Sequence, residues 1–301
     1  MESERYNKAF ARNLGWVTAA EQQQLRGKRI AIAGLGGVGG SHLLTLARLG
    51  IGAFNISDLD TFETPNTNRQ AGASASTMGR PKVDVLADMA LDINPELNLR
   101  QFPKGIHKEN VDAFLDGCDL YVDGIDFFAM DARRTLFDAC ARRGIPAVTA
   151  APLGMGAALL TFMPGRMTFE EYFKLEGRSR DEQQIRLMAG LSPRLLQVGY
   201  LADPTVVDFA NRKVPSTAMA CELCAGIAAT EALKILLHRG PVKAAPHGLH
   251  FDAYRQKLVR TWRPWGNANP LQRFLIACIR KALAKRVAEH PAGAGVSSVT
   301  G

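Results

Sequence analysis

Hydrophobic positions follow two alternating rhythms over the first half of the chain. Short apolar runs at 30–33, 53–56, 98–102, 119–123 and 146–150 have the length of strands. Between them, apolar residues spaced three and four apart mark helical patterns near 38–49, 82–93, 109–116 and 131–143. Strand-length runs alternating with amphipathic helices predict a doubly wound, mostly parallel α/β sheet with helices on both faces. Beyond Pro152 the rhythm loosens. Residues 157–162 predict one more strand, and Pro164, Pro193, Pro204 and Pro215 then interrupt several short helical patterns. The segment 221–237 predicts a helix with Ile227, Ala228, Leu233, Leu236 and Leu237 on its apolar face. Runs at 249–252 and 258–262 predict a hairpin turning at 254–257. Residues 269–287 predict a basic amphipathic helix, with Leu271, Leu275, Ile279 and Leu283 along one face and Phe274 and Cys278 beside them. This divides the chain into a body over 1–265, a basic helix within 266–288 and a Gly/Ala/Ser-rich tail, 289–301, expected to be disordered.

Bulk properties narrow the class. At 301 residues the chain can bury one large α/β core or two small ones. No apolar run approaches the ~18 residues that span a bilayer, and MESERYNKAFARN has no signal-peptide h-region. Five cysteines, an odd number, do not form a disulfide framework. These features predict a cytoplasmic protein. Net charge is +8, but six Lys or Arg against one acid, Glu289, lie between 263 and 289. The body is mildly basic, so composition makes no case for a nucleic-acid enzyme. The basic helix is expected either to pack on the body or a second subunit, or to contact a membrane surface or partner.

Chemistry enters at the first strand. Residues 34–40 read GLGGVGG between an apolar run and a helical pattern, the strand–turn–helix context of a phosphate cradle. Gly34 permits the tight turn, Gly36 and Gly37 open the backbone to a phosphate, and Gly39 lets helix and strand pack. The first amides of the helix then face an anion. Asp58 ends the next run, where a carboxylate can accept hydrogen bonds from a ribose. Asp60, Asn66, Asn68, Arg69, Gln70 and Lys82 follow within 25 residues of it. Arg69 and Lys82 are either surface cations or the partners of more negative charge than a dinucleotide pyrophosphate carries, which points to a triphosphate.

At this point the chain resembles the ThiF/MoeB superfamily, the adenylating enzymes that activate the C-termini of ubiquitin-like and sulfur-carrier proteins. The shared pattern is a GxGGxG turn (Gly34, Gly36, Gly37, Gly39), a D-x-D (Asp58, Asp60), an N-x-x-R-Q loop (Asn66-Thr67-Asn68-Arg69-Gln70), a G-x-x-K ending at Lys82, and the aspartate Asp126 after the fourth strand. The resemblance covers residues 5–262. It implies an ATP- and Mg²⁺-dependent adenylyltransferase, usually a homodimer, that converts a carboxylate to an acyl-adenylate with release of pyrophosphate. Arg69, Lys82 and Asp126 would be catalytic, with Asp126 holding Mg²⁺; Asp123 is the rival metal ligand, and a helix cap is the plain alternative for Asp126. The family's N-terminal R-Y-x-R, which reaches into a partner subunit's site, is matched by Arg5-Tyr6-Asn7-Lys8, with lysine in the last place and Arg12 as a substitute one helical turn on. Gly40 stands where relatives often have serine.

Cys221-x-x-Cys224 is one pair, and Cys118, Cys140 and Cys278 are isolated, so four thiolates for a structural zinc are not at hand and no zinc is expected. The pair is read as small core residues, as a thioester nucleophile with a lowered pKa, or as a redox pair. The resemblance implies a ubiquitin-like or sulfur-carrier protein or a peptide as acceptor; the loop 66–70 also looks like the branch that adenylates and cyclises a modified adenosine of transfer RNA. Two other classes stay open: a nicotinamide-dependent oxidoreductase, and a catalytically silent nucleotide-binding adapter.

Overall fold

Two short helices, α1 (Glu2–Ala9) and α2 (Ala19–Arg26), lead into β1 (Arg29–Ala33), whose last four residues are buried. The computed structural model describes residues 2–207 and 214–289; of the tail expected over 289–301, Glu289 ends the last helix and the rest lies outside the described residues. The chain then alternates as α3 (Gly37–Leu49), β2 (Ala53–Ser57), α4 (Lys82–Ile93), β3 (Asn98–Phe102), α5 (Val111–Phe114), β4 (Leu120–Asp123), α6 (Met130–Arg143), β5 (Ala147–Leu153) and β6 (Gly156–Phe162). The short helices α7 (Phe169–Phe173) and α8 (Arg180–Leu191) precede α9 (Ala218–Leu236), and β7 (His247–Asp252), β8 (Lys257–Trp262) and α10 (Pro270–Glu289) finish the described chain.

The eight strands among the described residues form one sheet in the order β3-β2-β1-β4-β5-β6-β7-β8. The pairs from β3 to β5 are parallel, and β6, β7 and β8 join antiparallel. The chain winds outward from β1 in one direction and from β4 in the other. The switch point therefore opens a crevice at the carboxyl ends of β1 and β4, the place where such sheets bind ligands. One core layer packs Ile30, Ile32, Leu43, Leu46 and Leu86 with Cys224 and Ala228 of α9; the other packs Ala31, Tyr121, Phe137, Phe162 and Phe173. Such two-sided burial explains why β1 and β4 read as unbroken apolar runs.

The C-terminal helix differs from expectation in its seam. Leu275, Ile276, Ile279 and Leu283 pack with Ile185, Met188 and Ala189 of α8, while Leu271, Phe274 and Cys278 point to solvent. The buried amide of Gln272 donates to Ala189 O at 3.0 Å, and that of Asn267 to Phe173 O at 2.9 Å. These two bonds rotate the first turn of α10 so that Ile276, rather than Leu271, enters the seam.

Candidate functional site

The turn after β1 is built by close approach. Gly34 has φ +81, and a Cβ there would stand 2.2 Å from Gly124 O; a Cβ at Gly39 would stand 1.7 Å from Gly34 O. The β1–α3 turn and the loop after β4 are thus pressed together backbone to backbone. Gly36 differs: a Cβ there would meet only the Gln70 amide, at 3.6 Å. Gly36 is the N-cap of α3 and has no side chain to cover the first amides. The helix start presents N–H groups and a partial positive charge to the crevice.

Asp58 ties this turn to β2. Its carboxylate accepts from Leu35 N at 2.6 Å and from Asp60 N at 2.8 Å. Burial pushes the Asp58 carboxyl up in pKa, against the pull of those two N–H groups and of Lys82. Lys82 opens α4 with its side chain buried and its Nζ 3.2 Å from Oδ2 of the exposed Asp60. The glycine turn, Asp58, Asp60 and Lys82 therefore form one connected group.

The loop 66–70 closes the other side. The Asn66 side chain accepts from Glu63 N at 3.0 Å, and its carbonyl accepts from the Arg69 and Gln70 amides. Arg69 Nη1 donates to Asn68 Oδ1 at 2.8 Å and to Pro65 O at 3.1 Å, while Asn68 Nδ2 donates to Ser216 O at 3.0 Å. Arg69 carbons approach Gly37, and the buried Gln70 amide faces Gly36 with its Oε1 unpartnered. Asn66 and Asn68 frame the loop; Arg69 and Gln70 line the cradle.

After β4 the two aspartates part company. Asp123 is buried and accepts from Tyr121 Oη (3.1 Å), Ile125 N (3.1 Å), Arg133 Nε (3.0 Å) and Thr149 Oγ1 (2.9 Å). Those four donors, the Arg133 guanidinium among them, occupy the Asp123 carboxylate within the protein. Asp126 is exposed and its carboxylate accepts from Phe128 N at 2.9 Å. Among the described residues no three His, Cys, Asp or Glu side chains gather into a metal cluster. A single outward carboxylate still suits Mg²⁺, which takes one or two carboxylates and completes its shell with phosphate oxygens and water.

Both cysteines of the pair are buried on α9. Cys224 sits in the core layer above, and Cys221 Sγ would stand 3.0 Å from a Cβ at Gly37. Burial raises both thiols, for Cys221 against a 4.0 Å contact to Ser216 and the charge of Arg69. This is the opposite direction from the lowered pKa that a nucleophile at a helix start needs. Lys8 and Arg12 lie elsewhere. Tyr6 Oη donates to Gly50 O at 2.5 Å and Asn13 to Leu49 O at 3.1 Å, which pins the N-terminal segment to the far end of α3, ~20 Å from the cradle. Lys8 pairs with Glu4 at 2.7 Å, and neither cation reaches this chain's own site.

Sequence reasoning missed Arg133, Thr149 and Ser216. None carries a linear signal, because their partners lie 10, 26 and 148 residues away.

A sequence model of the ThiF family matches residues 10–273. The chain belongs to the ThiF family. A tRNA threonylcarbamoyladenosine dehydratase of Bacillus subtilis is 33% identical over 150 residues, 50% of this chain and 57% of that protein. The protein HesA of a Nostoc species is 32% identical over 146 residues, 48% of this chain and 57% of its own. The matched part thus spans little more than half of these relatives. Among solved structures, Escherichia coli MccB with AMPCPP and MccA superposes with a TM-score of 0.64 at 20% identity, over 85% of this chain and 72% of that one. The mostly parallel eight-stranded sheet is a ThiF-type α/β fold. No described helix is long and apolar enough to cross a membrane.

Proposed function

We propose that this ThiF-family chain is an ATP-dependent adenylyltransferase that activates a carboxylate as an acyl-adenylate. The observation that carries the reading is the buried Lys82 beside Asp58, on the same cradle that Arg69 and the uncapped α3 amides line. That is more positive charge than a dinucleotide asks for, and it leaves an oxidoreductase reading with two unused cations.

In this reading Asp58 accepts from the ribose hydroxyls, Gly34, Gly36, Gly37 and Gly39 let the α3 amides reach the phosphates, and Gln70 presents its unpartnered oxygen to the same ligand. Asn66, Asn68 and Asp60 hold Arg69 and Lys82 in place. The acceptor carboxylate attacks the α-phosphorus; the bond to the bridging oxygen breaks, and pyrophosphate leaves with the electron pair. Arg69, as a fork, and Lys82, as a point charge, stabilise the charge that builds on those oxygens. Mg²⁺ held by Asp126 would supply further neutralisation of the phosphates. The acceptor is a ubiquitin-like or sulfur-carrier protein or a peptide; similarity to a tRNA threonylcarbamoyladenosine dehydratase over half the chain supports transfer RNA as the second reading. The assembly is a homodimer in which Lys8 or Arg12 serves the partner's site, since neither can serve its own. The outer face of α10 adds a membrane-surface or partner contact. Cys221 and Cys224 serve packing.

The test is ATP–pyrophosphate exchange with carrier protein, peptide and transfer RNA in turn. Lys82→Ala should weaken ATP binding by the ~1.5–3 kcal/mol of one charge-assisted contact. NAD binding as tight as ATP binding, and indifferent to Lys82, would overturn the reading.

A further inference from the structure

Arg133 is 7% exposed in the first turn of α6, and a buried guanidinium is costly unless every donor is used. Its Nε donates to Asp123 Oδ2 at 3.0 Å, its Nη1 to Asp126 O at 3.2 Å, and its Nη2 to Ile125 O. One planar group thus grips a buried carboxylate and two successive carbonyls. Fixing both carbonyls fixes the two peptide planes that flank the Asp126 Cα, and with them the direction in which its Cα–Cβ bond leaves the chain. Among the described residues the Asp126 carboxylate accepts one hydrogen bond, from Phe128 N, two residues along the same loop. Asp123 in turn is held by Thr149 from β5 and by Tyr121, so the anchor belongs to the sheet rather than to the loop. Gly124, between anchor and loop, is pressed on Gly34 and Gly39.

We propose that Arg133 is the positioning residue for Asp126. Through Asp123 it clamps the β4–α6 loop to the sheet, so that the Asp126 carboxylate meets the nucleotide's metal ion in a fixed orientation; the claim rests on the adenylation reading. Lysine cannot replace it, because a single ammonium on a flexible stem cannot span a carboxylate and two carbonyls at once. The general cost of losing an outer partner of a metal ligand is 10–100-fold in metal affinity.

The experiment compares wild type, Arg133→Lys and Thr149→Val by thermal melting, by ATP binding in EDTA, by Mn²⁺ binding to the ATP complex followed by electron paramagnetic resonance, and by the Mg²⁺ dependence of pyrophosphate exchange. Arg133→Lys should bind ATP in EDTA as wild type does, yet weaken Mn²⁺ about tenfold or more and shift the Mg²⁺ dependence equally. Thr149→Val, which loosens the anchor but leaves both carbonyl grips of Arg133 in place, should lower the melting temperature and weaken Mn²⁺ by much less than Arg133→Lys does. Should Arg133→Lys not fold, Asp123→Asn with Arg133→Gln removes both buried charges together and carries the same expectation. Metal affinity unchanged in a folded Arg133 variant, or shifted equally by Thr149→Val, overturns the positioning claim. Wild type without any exchange overturns the adenylation reading instead.

Discussion

His42 lies inside α3, fully buried, with neither ring nitrogen partnered by protein. Burial lowers its pKa to about 4, with the Asp123 carboxylate pulling weakly the other way. The folded state therefore binds fewer protons than the unfolded one between about 6.5 and about 4, and stability rises with pH across that window. The penalty is absent above it and complete below it. Relative to His42→Leu, wild type should lose on the order of 2–3 kcal/mol of unfolding free energy between pH 7.5 and pH 4.5. Urea unfolding of both proteins at the two pH values measures this; parallel loss in both would show that His42 is not the titrating group. At this scale the sequence was legible where a residue's task is local. Gly34, Asp58, Arg69 and Lys82, which follow one another in the chain, are placed around the crevice at the ends of β1 and β2. It was opaque where the task is set by a distant partner: Asp123 and Asp126 look alike in the chain, and only the four donors gathered on Asp123 separate them. His42 and Arg133 give no warning at all, since an isolated His or Arg in a helical pattern reads as a surface residue.

The β1–α3 unit sorts its glycines by what they face. Alanine at Gly39 would drive a Cβ into Gly34 O, a backbone atom that cannot step aside, whereas alanine at Gly36 meets only a side-chain amide at an ordinary contact distance. Gly39→Ala should therefore cost more than about 2 kcal/mol of stability and lose ATP binding with it. Gly36→Ala should melt near wild type and lose ATP binding alone, because its Cβ occupies space meant for ligand. Melting and calorimetry on the two variants decide it; equal destabilisation would show that Gly36 belongs to the packed turn and not to the open cradle. Elements buried on two faces, such as β1, β2 and β4, announce themselves by composition, and their boundaries fall within a residue or two of the apolar runs. α10 was legible as a helix but not in its facing. Its two apolar stripes, Leu271–Phe274–Cys278 and Leu275–Ile276–Ile279–Leu283, are similar in sequence, and the choice between them is made by Gln272 and Asn267, polar residues that hydrophobic periodicity ignores.

Charge and exposure are distributed unevenly over the molecule. Between 253 and 288 the chain has nine Lys or Arg and neither Asp nor Glu. The same stretch leaves Trp262, Trp265, Leu271 and Phe274 between 60% and 72% exposed, at the end of the edge strand β8, in the turn that follows it and on the outer side of α10. Arg280 is paired with Glu182 at 2.9 Å, but the stretch contains no acid of its own. Aromatic and aliphatic side chains within such a basic segment match an anionic lipid surface, where the rings enter the headgroup layer and the cations meet phosphates. Removing α10 would test this poorly, because Ile276 and Ile279 cover Ile185 and Ala189 and the cut would open a core. Leu271→Ser with Phe274→Ser changes only the outer stripe. The double variant should keep the wild-type melting temperature and pyrophosphate exchange while losing cosedimentation with vesicles rich in phosphatidylserine. Wild-type binding should weaken steeply from 0.05 to 0.3 M salt, since exposed charges are screened over about 10 Å at 0.1 M. Vesicles of phosphatidylcholine alone should recruit neither protein. Wild type that fails to bind anionic vesicles at low salt would leave α10 as a helix of the body whose outer stripe serves another partner, and sedimentation of the same double variant would then show whether that partner is a second copy of this chain.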